Sequence, residues 1–144
     1  MRILQFAFAD EADNNFLPHV YERDTVAYSG THDNDTARGW WAGCTDRERA
    51  YAGEYLNTDG HDIHWAMIRA CSQSVARHAI CPFQDVLGLD GRHRMNTPSM
   101  LGCWTWRFKW DWVSGEDTER LARITAASGR TRFDRLNLSA IARH

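Results

Sequence analysis

Thr25-Val26-Ala27-Tyr28-Ser29-Gly30-Thr31-His32-Asp33-Asn34-Asp35-Thr36 passes from a strand-like run into a tight polar cluster. Thr25, Val26 and Tyr28 favour a pleated backbone, and Gly30 lets the chain turn. His32, Asp33, Asn34 and Asp35 cannot all be buried without partners, so the strand ends before them. A helical turn follows, capped by Asn34 or Asp35, running from Ala37 to Trp41 and stopping near Gly43. In α/β folds, ligands and catalytic groups sit beyond the carboxyl ends of parallel strands. His32 and Asp33 stand at such a place.

Upstream, Arg2 to Phe8 reads as a short, largely apolar strand, and the chain opens on it without a preceding helix or cap. A buried parallel strand needs neighbours at both edges and helices over both faces, so the expectation is a chain cut from something longer. Asp10-Glu11-Ala12-Asp13-Asn14-Asn15 reads as a solvated loop, and Pro18 keeps the next residues irregular until Thr25.

Downstream, Thr45-Asp46-Arg47-Glu48 has the capping-box spacing and predicts a helix from Asp46 to Leu56, broken by Asn57-Thr58-Asp59-Gly60. Asp62 is then the expected cap of a helix from Ile63 to about Ala79. Ile63, Met67, Ala70, Cys71 and Ser74 form its stripe, His78 ends it, and Pro82 prevents continuation. Pro82 to Leu89 reads as a strand or strand end entering a Gly-containing loop. From Trp104 to Trp112 aromatic residues occupy every even position, which puts one aromatic face on an extended segment. Ser114 and Asp117 mark a helix entry, Leu121 and Ile124 its apolar stripe, and Gly129 its stop. In the Arg-rich tail from Arg130 to His144, Phe133, Leu136, Leu138 and Ile141 can dock on a neighbour.

The order strand, helix, helix, helix, strand, helix is α/β, and right-handed crossovers set the strands parallel. A complete eight-stranded barrel takes about 250 residues. At 144 residues this chain can hold only part of one.

The totals exclude several classes of function. Hydrophobic residues make up 43% of the chain, which rules against disorder. No apolar run approaches the ~20 residues of a membrane-spanning helix, and the opening residues lack the length and flanks of a secretory signal. A net charge of -2 offers nucleic acid or an anionic membrane no basic field, so neither is an expected partner. Cys44, Cys71, Cys81 and Cys103 are widely spaced with no C-x-x-C pair, which argues against a cysteine zinc site. They read as reduced thiols of a cytoplasmic protein.

Four blocks, in order, resemble the 4-alpha-glucanotransferases (amylomaltases, disproportionating enzymes), relatives of the alpha-amylases. They are Arg2-Ile3-Leu4-Gln5-Phe6-Ala7-Phe8; Tyr28 to Thr36 leading to Gly39-Trp40-Trp41; Gln84-Asp85-Val86-Leu87-Gly88-Leu89; and Arg94-Met95-Asn96-Thr97-Pro98 followed by Gly102-Cys103-Trp104-Thr105-Trp106-Arg107. The family usually has Thr where Ser29 stands, Gly where Ser99 stands and Asn where Cys103 stands. The resemblance implies a (β/α)8 TIM barrel of which residues 1–144 are the C-terminal portion, about the last three strands with their helices.

The activity so implied is retaining transfer of an α-1,4-glucan segment between maltodextrins, without a metal or organic cofactor. It uses a carboxylate nucleophile, a carboxylic acid/base and a third acid that stabilises the transition state. The first two belong to motifs on earlier strands, and neither motif occurs here. This chain alone is therefore expected to be inactive, its partners being the missing N-terminal barrel part and an α-1,4-glucan.

The third acid maps onto Asp33, where a fixed carboxylate strengthens its hydrogen bonds to the sugar as positive charge develops. His32 maps as a donor to a hydroxyl of the same sugar. Asp35 reads as a helix cap rather than a catalyst. Asn96 and Gln84 either contact sugar hydroxyls or satisfy loop backbone groups, and Trp104 or Trp106 can stack on a sugar face. The candidate set is thus Asp33 as the catalytic residue, with His32, Asn96, Gln84 and Trp104 binding substrate and no metal ligand.

Two other readings stay open at this level. One is a non-catalytic glucan-binding module using the Trp-rich face. The other is metal-assisted hydrolysis through His32, Asp33, His61 and His64. Against the metal, a helix N-terminus explains Asp62, and two exposed histidines explain His61 and His64. Trp40, Trp41 and Trp65, on helical segments, are core candidates.

Overall fold

The computed structural model describes residues 1–9 and 14–131. Three parallel strands, β1 (Arg2–Ile3), β2 (Val26–Tyr28) and β3 (His78–Ile80), form a sheet in the order β1-β2-β3. The register aligns Arg2 with Ala27 and Ala79, and Ile3 with Tyr28 and Ile80. Between β2 and β3 lie helices α1 (Ala37–Gly43), α2 (Asp46–Leu56) and α3 (Ile63–Gln73). After β3 come the short α4 (Phe83–Val86) and then α5 (Gly115–Ala127).

Side-chain size gives the sheet two different faces. Ala27 is fully buried, and Ala79 packs beside it in the cluster formed with Ala37, Ala52, Ile63, Met67 and Cys71. Two alanines in one row let α3 approach the strands closely. The next row, Ile3, Tyr28 and Ile80, lines an open hollow, and Ile80 is 46% exposed. Helices therefore cover one face and leave the other bare.

The main core gathers Leu4, Phe8, Leu17, Tyr21 and Met67, with Trp40, Trp41, Tyr51 and Tyr55 half-buried against it. Phe8 sits 5.6 Å from the Trp40 ring, 5.8 Å from Tyr51 and 5.9 Å from Tyr55, centroid to centroid. A second cluster joins Trp65 and Ile68 of α3 to Val86 of α4 and Ile124 of α5. Trp65 is thus a core residue, as its helical position implied.

The α2 capping box forms as the sequence dictates: Glu48 N donates to Thr45 Oγ1 at 3.2 Å, and Thr45 N donates to Glu48 Oε2 at 2.7 Å. The Ser114 hydroxyl accepts from Asp117 N at 3.0 Å and opens α5, which ends just before Gly129. Other expectations are corrected. The opening strand stops at Ile3, because Leu4, Ala7 and Phe8 have the three-to-four spacing that a turn, not a strand, directs to one side; a 3-10 turn spans Leu4–Phe6. The cap of α1 is Thr36, whose hydroxyl accepts from Gly39 N at 3.1 Å, rather than Asn34 or Asp35. Asp62 makes no cap bond at α3 and pairs instead with Arg120 of α5 at 2.8 Å.

Helix α3 also ends earlier than its apolar stripe suggests. The Ser74 hydroxyl donates to Cys71 O at 2.7 Å, and the Arg130 guanidinium donates to the carbonyls of Ser72, Ser74, Ala76 and Arg77. With those acceptors filled, residues 78–80 extend as β3, and His78 lies on a strand. Pro82 to Leu89 is not a strand: Asp85 N and Val86 N donate to Pro82 O and close α4.

The aromatic alternation from Trp104 does not make a strand either. Trp104 has φ 67 and Trp110–Trp112 is a 3-10 turn, so the end rings leave the middle three, in which Phe108 lies 6.4 Å from Trp106 and 5.0 Å from Trp110. Phe108 packs 4.8 Å from Phe83, Trp104 lies 5.1 Å from His32, and Trp112 lies 6.0 Å from His93. The expected aromatic face is therefore kept only in part, by Trp106, Phe108 and Trp110. Asp10 to Asp13, and the apolar tail residues Phe133, Leu136, Leu138 and Ile141, lie outside the described residues. Among the described residues no helix is long and apolar enough to cross a membrane.

Candidate functional site

The three strands end on the same rim, and the segments that leave them converge on a hollow of about 890 Å³. Its floor is the row Ile3, Tyr28 and Ile80. Its rim carries His32, Asp33, Asp35, Gln84 and Arg94.

The loop between β2 and α1 folds on its own polar side chains. Asn34 Oδ1 accepts from Thr31 N at 2.9 Å and from the Thr31 hydroxyl at 2.7 Å. This closes a turn that leaves His32 and Asp33 at the tip, with about half of each side chain accessible (57% and 51%). Asp35 faces inward: its Oδ1 accepts from Thr36 N at 2.7 Å, and its backbone carbonyl accepts from the buried Gln5 amide at 2.7 Å.

Asp33 is the best-supported of the rim side chains. Its Oδ1 accepts a 2.6 Å hydrogen bond from Asn96 Nδ2 and lies 3.3 Å from His32 Nε2. The two loops are stitched further by Asn96 N donating to His32 O at 3.1 Å and Arg94 Nη2 donating to Asp33 O at 3.0 Å. Arg94 also stands 3.7 Å from the Asp35 carboxylate. Asp33 lines the hollow with about half of its side chain accessible, and a carboxylate only accepts hydrogen bonds, which suits it to a ligand rich in hydroxyl groups.

The remaining candidates fall into place differently. Trp104, 54% exposed, leans its indole on the His32 ring, and its backbone N–H donates to Met95 O at 2.8 Å. Gln84 is buried and donates to His93 O at 3.2 Å, so its amide nitrogen satisfies a loop carbonyl at the hollow's edge. The Asn96 amide holds Asp33. Asp33, His32, Asn96 and Trp104 are therefore in one group, with Gln84 set deeper.

Sequence reasoning passed over three contributors. Arg94 stood in a quoted block without a role. Gln5 looked like a strand residue. Asp85 looked like part of a strand end, yet it is 1% exposed, with Oδ1 accepting from Ala37 N at 2.8 Å and Oδ2 accepting from the Ser29 hydroxyl at 2.7 Å. Burial pushes its carboxyl above the ordinary range against the pull of those two bonds, and the charge of Asp35 adds to the rise. Only the buried Ser29 and the polar Asp85 themselves could have signalled the pairing, across more than fifty positions.

His61 and His64 are not a pair of exposed histidines. His61 is exposed and pairs with Asp62 at 3.3 Å, whereas His64 is 7% exposed on α3 with Nδ1 lacking a partner. Neither lines the hollow. Among the described residues no three His, Cys, Asp or Glu side chains are grouped to hold a metal ion. All four cysteines are free, and burial pushes the thiols of Cys44 and Cys81 up to about 11.

Ser99 has φ 67, a left-handed conformation that glycine adopts without strain. Cys103 Sγ accepts from Thr97 N at 3.3 Å and holds the turn over Pro98 and Ser99.

A sequence model of the family described as 4-alpha-glucanotransferase matches residues 1–113. The chain is 51% identical over 109 residues to the chloroplastic/amyloplastic 4-alpha-glucanotransferase of Arabidopsis thaliana, covering 74% of this chain and 19% of the relative. It is 41% identical over 139 residues to the 4-alpha-glucanotransferase of Thermus thermophilus, covering 90% of this chain and 28% of the relative. Among solved structures it is similar to an amylomaltase from Streptococcus agalactiae in complex with acarbose, with a TM-score of 0.88 and 31% identity over 92% of this chain and 27% of that one. The chain thus spans about a fifth to just over a quarter of the length of these relatives.

Proposed function

Since the chain belongs to the 4-alpha-glucanotransferase family, we propose that it carries the third carboxylate, Asp33, of an enzyme that transfers α-1,4-glucan segments between maltodextrins with retention. Residues 1–144 form part of one catalytic (β/α)8 barrel domain in this reading, and the hollow beyond the strand ends is a portion of its cleft. The observation that carries the proposal is the grip of Asn96 on the Asp33 carboxylate at 2.6 Å, on the rim of that hollow. The acarbose complex of the similar amylomaltase supports a glucan-like ligand.

The chemistry divides as follows. Breaking a glycosidic bond with retention takes one carboxyl group to protonate the leaving oxygen and one to attack the anomeric carbon, about 5 Å apart across the bond. Those two come from the rest of the barrel. Asp33 accepts hydrogen bonds from the hydroxyls of the sugar being cleaved, and these strengthen as the ring gains positive charge. His32 donates to a hydroxyl of that sugar, the Trp104 indole offers a stacking face, and Gln84 and Asn96 bind at the edge. No step in this scheme needs a metal or an organic cofactor. The four free thiols support a reducing compartment such as the cytoplasm.

The test supplies the N-terminal portion of a family member in trans or by fusion and measures glucose release from maltotriose. Asp33→Asn keeps the shape and removes the charge, and loss of one electrostatic stabiliser should lower kcat by roughly 100-fold or more. Undiminished turnover in Asp33→Asn, with the parent active, would overturn the assignment.

A further inference from the structure

The Gly30–Thr36 loop carries the proposed catalytic group, and two buried side chains tie it to the layer beneath. Gln5 holds the carbonyl of Asp35 near the loop's end at 2.7 Å, and Asp85 holds both of the loop's flanks. Asp85, from α4, places Oδ2 at 2.7 Å from the hydroxyl of Ser29, the last residue before the loop, and Oδ1 at 2.8 Å from the backbone nitrogen of Ala37, the first after it. Ser29 and Ala37 are both fully buried, and Asp85 is 1% exposed. Both bonds lie away from the protein surface.

We propose that Asp85 is a positioning residue for Asp33, clamping the entrance and exit of the loop with its two carboxylate oxygens and so setting where the tip stands over the hollow. This rests on the reading of Asp33 given above. The clamp works because both contacts leave one rigid planar group: the separation of Ser29 and Ala37 is fixed by the spread of a carboxylate. It is completed from above, where Asn96 and Arg94 hold the tip. Without the Asp85 tie, Ser29 keeps its backbone bond to Ile80 O at 3.3 Å, Asp35 O keeps its bond from Gln5 and α1 keeps its Thr36 cap, so the elements persist while the flanks of the loop slacken. An error of about 1 Å in a group acting at the transition state costs on the order of 100-fold in rate.

Asparagine separates this role from a need for charge. In Asp85→Asn the amide oxygen still accepts from Ala37 N, and the amide nitrogen donates to Ser29 Oγ once that hydroxyl turns round. Alanine makes neither bond. In the reconstituted enzyme, Asp85→Ala is expected to lower kcat on maltotriose by roughly 10- to 100-fold with KM within about twofold. Asp85→Asn should recover most of that loss, and Ser29→Ala, which frees only the entrance, should fall between. Parallel NMR spectra of the same assembly should show the Asn96 side-chain amide signal shifted or broadened in Asp85→Ala and restored in Asp85→Asn.

The proposal is overturned by an unchanged kcat in Asp85→Ala, by a rise in KM alone, or by Asp85→Asn losing as much as Asp85→Ala. Should Asp85→Ala fail to fold, Ser29→Ala decides, and full activity in that variant overturns it. If Asp33→Asn is inactive while these variants are not, the clamp fails and the Asp33 reading stands. If Asp33→Asn is active, the underlying reading fails first.

Discussion

Protonation of His64 should destabilise this fold in mild acid. The imidazole lies on α3, 7% exposed, with Nδ1 unpartnered and Gly88 so close that a Cβ there would fall 2.9 Å from Nε2. Burial lowers its pKa from 6.5 to about 4; the Asp62 carboxylate opposes the fall, and the charges of Arg38 and Arg120 add to it. The folded state therefore prefers the neutral ring, while the unfolded chain takes up a proton near pH 6.5. Stability from this group is complete above pH 6.5 and is lost as the pH falls through the window down to about 4. At about 1.4 kcal/mol per pH unit, the whole window is worth about 3 kcal/mol, and about 2 kcal/mol has gone by pH 5. Urea unfolding followed by tryptophan fluorescence at pH 7.5 and pH 5, on the parent and on His64→Leu, isolates the effect because the other titrating groups are common to both. Equal losses of stability in the two proteins, or a His64 ring proton that titrates near 6.5 by NMR, would refute the reasoning.

Three further outcomes follow from the same structure. Thr45→Ala removes the hydroxyl that accepts from Glu48 N in the α2 capping box, leaves the Thr45 backbone donor to Glu48 in place, and should cost about 1 kcal/mol of stability, read from the urea midpoint at constant slope. Gly60→Ala meets a backbone at φ +94 and puts a methyl group into the Trp41 ring, so about 1–3 kcal/mol of destabilisation with a change in tryptophan emission is expected. Asn96→Ala takes the 2.6 Å donor from Asp33. A hydrogen bond to a charged group is worth about 1.5–3 kcal/mol, so kcat of the reconstituted enzyme should drop roughly 10- to 100-fold in glucose-release assays.

What was legible in the sequence was local. The Thr45–Glu48 box, the Ser114 cap and the polar break after Tyr28 each arise within a few residues, where backbone donors and side-chain acceptors are neighbours by covalent necessity. The site loop was legible for the same reason, since Thr31 and Asn34 close it without outside help. The misses are long-range. Arg130 reaches back more than fifty residues to fill the carbonyls that end α3 and free β3, and no periodicity within residues 63–80 could disclose that. The alternation of Trp104 to Trp112 promised a face, but a strand needs a neighbour with free donors and acceptors. Here the segment bends at Trp104, gives its end rings to His32 and His93, and keeps Trp106, Phe108 and Trp110 together beside Phe83. Asn96, Arg94 and Asp85 were in view as types, and only the fold shows that one holds Asp33, one bridges to Asp35 and one lies beneath both.

The strands that carry the site are two or three residues long, so the ladder itself contributes few hydrogen bonds. Their direction is fixed from one side only, by α3 on the alanine row, while the row Ile3, Tyr28 and Ile80 faces the hollow. On the proposed role of Asp33, a sheet this narrow cannot by itself hold the loop tip to the tolerance that transition-state chemistry demands. The polar ties supply what the sheet lacks: Asp85 below the loop and Asn96 with Arg94 above it attach Asp33 to two segments far from it in sequence. This explains why a costly buried carboxylate is present under a short loop. It also means that damage to the rim should appear as lost turnover before it appears as lost fold.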